Sequence, residues 1–389
     1  MKRKALATIL TAVAINASAG DVYDYIVAQD GSGDFASVQE AIDAIGEKND
    51  EQKNIYIKAG TYREHVCIPE GKNRISLIGE GADVTLISDD RVSGGEKAVP
   101  VDKGATMVVM ANDVTLQGIA IMNSYGFMKQ EGPQALALYA KGDRIAIEYC
   151  ALMSYQDTYR TSNSSNGRNY VAHSLIVGAV DFIYGNGNAW IESCMIFVNR
   201  KSGGWIVAPR HGKETRWGYV FKRCSITAEG DPQETQVWLG RPWKNEPKAV
   251  FIDTKTELTI PAEGWWPTMG GLPKVFAEYG TMDANGDKID LSKRRKRYYV
   301  VDKEKKDTTW CEAKSLLTTE EANAYTLGAV MGGEDGWRPE KLFAHDENAK
   351  IIGYAIVRKG KIVSFSKKKA RNSLPVNEFG CIARNYYSE

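Results

Sequence analysis

No Gly-x-Ser-x-Gly elbow occurs in the chain, so the usual serine-hydrolase nucleophile has no place to sit. Histidine is scarce, four residues in all, with neither a His-Glu-x-x-His pair nor a Cys/His ligand spacing, so no metal site is expected. Walker and dinucleotide fingerprints are absent too. Six cysteines are too few to be a disulfide framework for 389 residues. Charge of one sign is also missing. Fifty Lys and Arg face 49 acidic residues, a net of +1, which excludes a global drive toward nucleic acid and leaves any polyanion specificity to local groups. Beyond the first twenty residues no apolar run is long enough to cross a bilayer, so no membrane anchor is expected there.

What is present begins with those twenty residues. Lys2, Arg3 and Lys4 precede an apolar stretch from Ala5 to Ile15, and Ala17-Ser18-Ala19 supplies small residues for cleavage. This reads as an export signal over 1–19, implying a periplasmic or extracellular protein. Cys150, Cys194 and Cys224 lie in similar settings, EYCALM, ESCMIF and KRCSIT, which suggests a buried column of free thiols in repeated strands.

From residue 54 to about 260 the chain is made of short β-branched runs broken by Gly, Asn and Asp, such as RISLIGEG, DVTLQGIAIMN and AWIESCMIFV. Runs starting at Asp113, Arg144, Tyr170 and Ala189 are 31, 26 and 19 residues apart, the loose period of stacked coils with variable loops. Two-residue Asn-Gly or Asp-Gly hairpin turns are few, which favours a parallel β-helix over a sandwich. Ser37 to Ile45 and Thr318 to Tyr325 read as capped helices, the first placed to close an open end of the coil. Residues 344–389 form an extension in which IIGYAIVRKGKIVSF reads as two strands around Lys359-Gly360. DANGDKID at 283–290 imitates a calcium loop, but Lys288 stands where glycine is needed, so a solvated turn is expected. The basic run Lys293 to Arg297 could attract a polyanion, but a solvated face is the favoured reading.

Polar residues embedded in strand-like sequence are the remaining candidates for chemistry. Gln134 lies in QALALY, Gln156 and Asp157 in SYQDTYR, Asp181 in GAVDFIYGN, and Arg241 and Trp243 in VWLGRPW. Gln134 to Asp157 is 23 residues and Asp157 to Asp181 is 24, about one coil each. Strands one coil apart lie about 4.8 Å apart, so two carboxylates and an amide can form one patch. Each could instead cap its own turn, the commoner fate of a lone Asp.

At these residues the chain resembles the pectin methylesterases. QDT, DFIYG and LGRPW follow in the family's order, supported by AQDGSGDFASVQEAIDAI, IKAGTYREHV and NGRNYVAHSLIVGAVDFIYGN, over about residues 25 to 340. The resemblance implies an all-β fold, a right-handed single-stranded parallel β-helix with short capping helices, occupying residues 20–343. It implies hydrolysis of galacturonate methyl esters in pectin, methylated homogalacturonan, with no cofactor, by a protein expected to be monomeric. Carried over, Asp181 is the nucleophile, Asp157 the acid/base, Gln156 and Gln134 the oxyanion donors, and Arg241 the partner of Asp181. Trp243 would stack on a sugar, and Tyr184 and Thr106 would contact substrate. Tyr159-Arg160 stands where the family usually has Leu-Tyr, and Tyr184 where Phe is common, so subsite preference is the property most open to change. The competing readings are another pectin-acting β-helix enzyme, a lyase or a glycosidase, a non-catalytic sugar-binding β-helix, and a relative acting on other esters.

Overall fold

The computed structural model describes residues 20, 22–200, 202–229, 232–343, 350–358 and 361–383. The expected export signal over 1–19 and the Lys359-Gly360 turn lie outside the described residues. No described helix is long and apolar enough to cross a membrane.

The chain winds into a right-handed parallel β-helix walled by three sheets of eleven, seven and eight strands. Interior positions form columns that run the length of the coil. One runs through Ile55, Leu77, Leu116, Ile147, Val171, Ile191, Phe221 and Phe251 in strict register. Phe221 and Phe251 stack with ring centroids 4.2 Å apart. Corners are turned by single left-handed residues, and one such column holds Gly118, Tyr149, His173, Ser193, Arg223 and Asp253. The residues just after these include Cys150, Cys194 and Cys224, all buried thiols outside any disulfide, as expected. A left-handed residue other than Gly costs roughly 1–2 kcal/mol, which the paired strands on both sides must outweigh.

Both ends of the coil are closed. The helix Val38–Asp43 carries a complete capping box between Ser37 and Glu40 and buries Val38, Ala41 and Ile42 in the core. At the other end the interior column reaches Glu278, the register partner of Phe251. Its buried carboxylate is met by Arg294, with Nε at 2.6 Å, while the same guanidinium donates to the carbonyls of Pro261 and Ala262. The basic run is therefore not simply a solvated face. Lys293, Lys296 and Arg297 are exposed, but Arg294 is a buried plug, because an inward Glu278 needs a charged partner. DANGDKID is a turn in which Asp283 accepts from the amides of Asn285 and Asp287. Three further short helices, Val101–Gly104, Ser124–Lys129 and Leu327–Met331, were not anticipated, being too short to show a helical period.

The extension folds as a three-stranded antiparallel sheet, Ile351–Arg358, Lys361–Ser366 and Ser373–Asn377. It lies on the outer face of the eleven-stranded sheet, where Ala355, Phe365, Val376, Cys381 and Ile382 share an apolar cluster with Tyr23, Tyr56, Ile78 and Ala146. Strands buried on both faces read as continuous apolar runs, which is why several show no alternation. Gln117 fixes the contact: its Nε2 donates to the Ile382 carbonyl at 3.1 Å, and its Oε1 accepts from the Ile382 amide at 2.8 Å. Gln117→Ala leaves both backbone groups of Ile382 unpaired in a buried site, an expected loss of about 2–3 kcal/mol. Denaturant unfolding checks the loss. An unchanged midpoint contradicts this role for Gln117.

Candidate functional site

The seven-stranded sheet carries the polar residues. Gln156 bridges Val180 and Tyr159 pairs with Ile183, so Asp157 and Asp181 are register partners one strand spacing apart, about 4.8 Å between strands. Both have left-handed backbones, φ 65° and 49°, a conformation Asp tolerates better than most residues. Just past Asp181, between Val180 and Ile183, the pairing to the next strand shifts register. Such irregularities re-aim side chains beside active sites. Gly178 is needed here, since a Cβ there would lie 2.2 Å from Cβ of Phe182, the residue after Asp181.

Arg241 breaks the symmetry of the two carboxyls. Its Nε and Nη2 donate to the two oxygens of Asp181 at 2.8 and 2.5 Å, a two-pronged charge-assisted pair. The Arg241 guanidinium in turn lies 3.7 Å from the ring centroid of Trp205, a holder that the sequence reading missed. A Trp after Gly203-Gly204 in an otherwise alternating strand was the available signal. Among the described residues no arginine lies at ion-pair distance from Asp157; its hydrogen bond comes from the Tyr184 hydroxyl. Burial pushes the Asp157 carboxyl well above its ordinary range, and the neighbouring Asp181 charge pushes it further. Asp181 is also raised by burial, but the hydrogen bonds and charge of Arg241 oppose the rise. Both effects bias the pair toward a proton on Asp157 and the negative charge on Asp181.

The remaining expected residues divide. Gln156 is half-buried next to Asp157, and its amide has no hydrogen-bond partner among the described residues. Gln134 does not stack under Asp157 as its spacing suggested. The local register is 21 residues, Leu138 pairing with Tyr159, so Gln134 falls two positions short. Its side chain lies over Gly94, where an added Cβ would come within 1.9 Å of Oε1, and it too has no hydrogen-bond partner among the described residues. Trp243 is partly exposed and rests on Tyr184 at 5.7 Å, beside Arg210 and Lys244. Tyr184 is buried and supports both Trp243 and Asp157. Thr106 is a correction: it is fully buried and its hydroxyl donates to the Met122 carbonyl, so it belongs to the scaffold beneath the cleft, not to its lining. Among the described residues no group of three or more His, Cys, Asp or Glu is placed to hold a metal ion.

A stability signature follows from the raised Asp157. A carboxyl whose folded pKa exceeds its unfolded value stabilises the fold fully below the unfolded value, about pH 4, and that contribution is lost as pH rises through the folded value. Asp157→Asn is therefore expected to melt higher than the parent at neutral pH, with the gap closing near about pH 4. Thermal melts at both pH values check this; a variant that melts lower at neutral pH contradicts the placement of the proton.

Residues 24–334 match the family model described as Pectinesterase. The chain is 33% identical over 320 residues to pectinesterase/pectinesterase inhibitor U1 of Solanum lycopersicum, covering 80% of this chain and 51% of that protein. It is 36% identical over 251 residues to pectinesterase 4 of Arabidopsis thaliana, covering 62% and 42%. It thus spans about half the length of these plant relatives. Among solved structures, the pectin methylesterase from carrot superposes with a TM-score of 0.68 at 27% identity, covering 80% of this chain and 94% of that one. PemA of Erwinia chrysanthemi shares the fold at a TM-score of 0.62 and 21% identity, covering 82% and 98%. With the family's segments in order along a β-helix and its paired aspartates in register, the chain belongs to the pectinesterase family.

Proposed function

We propose that the protein hydrolyses the methyl esters of galacturonate units in pectin, releasing methanol and leaving de-esterified polymer, after export to the periplasm or cell exterior. The observation that carries this reading is the two-pronged Arg241–Asp181 pair beside a register-stacked Asp157. Asp181, kept ionised by Arg241, attacks the ester carbonyl. The tetrahedral intermediate collapses to an acyl anhydride as Asp157 hands its proton to the departing methoxide. Asp157, now ionised, takes a proton from water, which attacks the anhydride and frees Asp181. The unengaged amides of Gln156 and Gln134 serve the developing oxyanion, worth about 3 kcal/mol each if well aimed. Trp243 offers its face to a sugar ring beside the pair. A purely sugar-binding β-helix would need the aromatic platform but not the split carboxyl pair.

The test compares two near-isosteric variants, given an activated methyl-galacturonate analogue and examined by mass spectrometry. Asp181→Asn is expected to form no covalent adduct and to release no methanol from methylated pectin. Asp157→Asn is expected to accumulate an acyl adduct, because deacylation lacks its base. The opposite pattern reverses the two roles, and methanol release by Asp181→Asn sinks the mechanism.

Tyr184→Phe removes a hydrogen bond that lowers the Asp157 pKa. Asp157 must be protonated to act as acid, so its raised pKa in the variant moves the alkaline limb of kcat/KM to higher pH. A limb that stays in place, measured on methylated pectin, leaves Tyr184 with packing alone.

A further inference from the structure

An antiparallel hairpin of Arg297–Asp302 and Asp307–Glu312 lies at the end of the coil closed by Arg294. One face of it anchors to the core. Tyr298 is fully buried with its ring 5.7 Å from that of Phe276, and its register partner Cys311 packs on the same cluster. Successive side chains point to opposite faces of a strand, so the other face meets solvent and is expected to be polar. Instead it carries Tyr299 opposite Trp310, followed by Val301, with Trp310 52% and Val301 49% exposed. The inward face already holds the hairpin, so this outward apolar surface has no part in folding. Contiguous exposed apolar surface with a polar rim marks an interaction site. The Trp310 ring is also held ready, with the Tyr299 centroid at 4.8 Å and the Arg297 guanidinium at 4.9 Å. A ring fixed beforehand loses little freedom when a ligand arrives.

Two observations say what covers this face. The first is charge. At the hairpin tip Lys303, Lys305 and Lys306 balance Asp302, Glu304 and Asp307, whereas the base carries exposed Lys293, Lys296 and Arg297. Arg297 makes no ion pair among the described residues, although Glu312 is its register partner. The second is continuity with the cleft. Ile183, Val207, Gly240 and Trp265 pair in series, so Trp265 stands three strand steps, about 14 Å, from the strand of Asp181. The next residue, Trp266, packs on Trp205 and Trp238 with centroids 5.8 and 5.2 Å away, and Trp205 is the ring beside Arg241. After Trp266 the Pro267 carbonyl accepts from the Tyr299 amide. A polymer leaving the cleft along these rings meets the hairpin next.

We propose that Tyr299 and Trp310 form a distal platform that stacks on sugar rings of a pectic chain beyond the cleft, with the basic base of the hairpin attracting the polyuronate. This rests on the esterase reading above. An aromatic face meets the C–H side of a pyranose whether or not its carboxyl is esterified, so the platform grips the chain and does not sort esters. It serves long chains, because a short oligomer seated at Asp181 does not reach it.

Parent, Trp310→Ala, Trp310→Tyr and Trp310→Leu are compared on methylated pectin and on a methyl-esterified trigalacturonide, and binding of long polygalacturonate is measured by calorimetry. Trp310→Ala is expected to lower the ratio of kcat/KM on polymer to that on trimer about fivefold to tenfold, through KM, with a similar loss of polygalacturonate affinity. Trp310→Tyr keeps a flat ring and is expected to retain most of both; Trp310→Leu is apolar without a flat face and is expected to lose them. That pair carries the test should the Ala variant fail to fold. Equal loss on polymer and trimer, unchanged polygalacturonate affinity in Trp310→Ala, or a Leu variant as good as the Tyr variant overturns the proposal. So does sedimentation showing self-association that Trp310→Ala abolishes while polymer affinity stays, which assigns the face to a second copy of the chain. Polygalacturonate binding that depends on Trp310, without methanol release from either substrate by the parent, contradicts the esterase reading and supports this one.

Discussion

Parallel backbone pairing at a fixed spacing is the constraint from which the site follows. Once Tyr159 is paired with Ile183 and Gln156 with Val180, Asp157 and Asp181 have no choice but to face each other across one strand step. The same pairing puts Tyr139, Arg160 and Tyr184 in one outward row and the aliphatic column from Ile55 to Phe251 in the interior. A slip by one residue would send the column outward and separate the carboxyls, so core stability and site geometry are protected by one and the same register.

Two stacked carboxyls share one proton, and an outside group decides which of them carries the charge. Here the difference is supplied from outside the pair. Arg241 comes from the loop after the strand Gln236–Gly240, sixty residues from Asp181, and Trp205 lies under its guanidinium. Asp157 receives a phenol hydrogen bond and, among the described residues, no ion pair; beyond burial, the field of Asp181 raises it more than that of either Arg160 or Arg241 lowers it. In the mechanism proposed here one member serves as the nucleophile and the other as the acid, a division of roles by environment and not by residue type.

Much of this was legible beforehand, and the misses have physical causes. The coil repeat, the cysteine column, the capped helix after Ser37 and the Asp157–Asp181 spacing could all be read, because each depends on local chemistry or on a period. Gln134 was misplaced because coil length varies, and a spacing of 23 residues resembles one turn although the local register is 21. Thr106 and Arg294 were misjudged because burial is a tertiary property; only the coil interior makes a threonine hydroxyl turn to a carbonyl, or draws one arginine of a basic run inward to Glu278. Trp205 carried no motif, and its role exists only because Arg241 lies across it. The extension's strands were visible, but their docking through Gln117 and Ile382 joins residues 265 positions apart, which no local pattern reports.

The central claim is that the pair shares one proton, lodged on Asp157, with Asp181 ionised against Arg241. Infrared difference spectroscopy at neutral pH tests it most directly, through the carbonyl stretch of a protonated carboxyl and its shift in heavy water. The account predicts that this band, present in the parent, vanishes in Asp157→Asn and that the parent's ionised carboxylate band is diminished in Asp181→Asn. A protonated-carboxyl band that survives Asp157→Asn and vanishes in Asp181→Asn would contradict it.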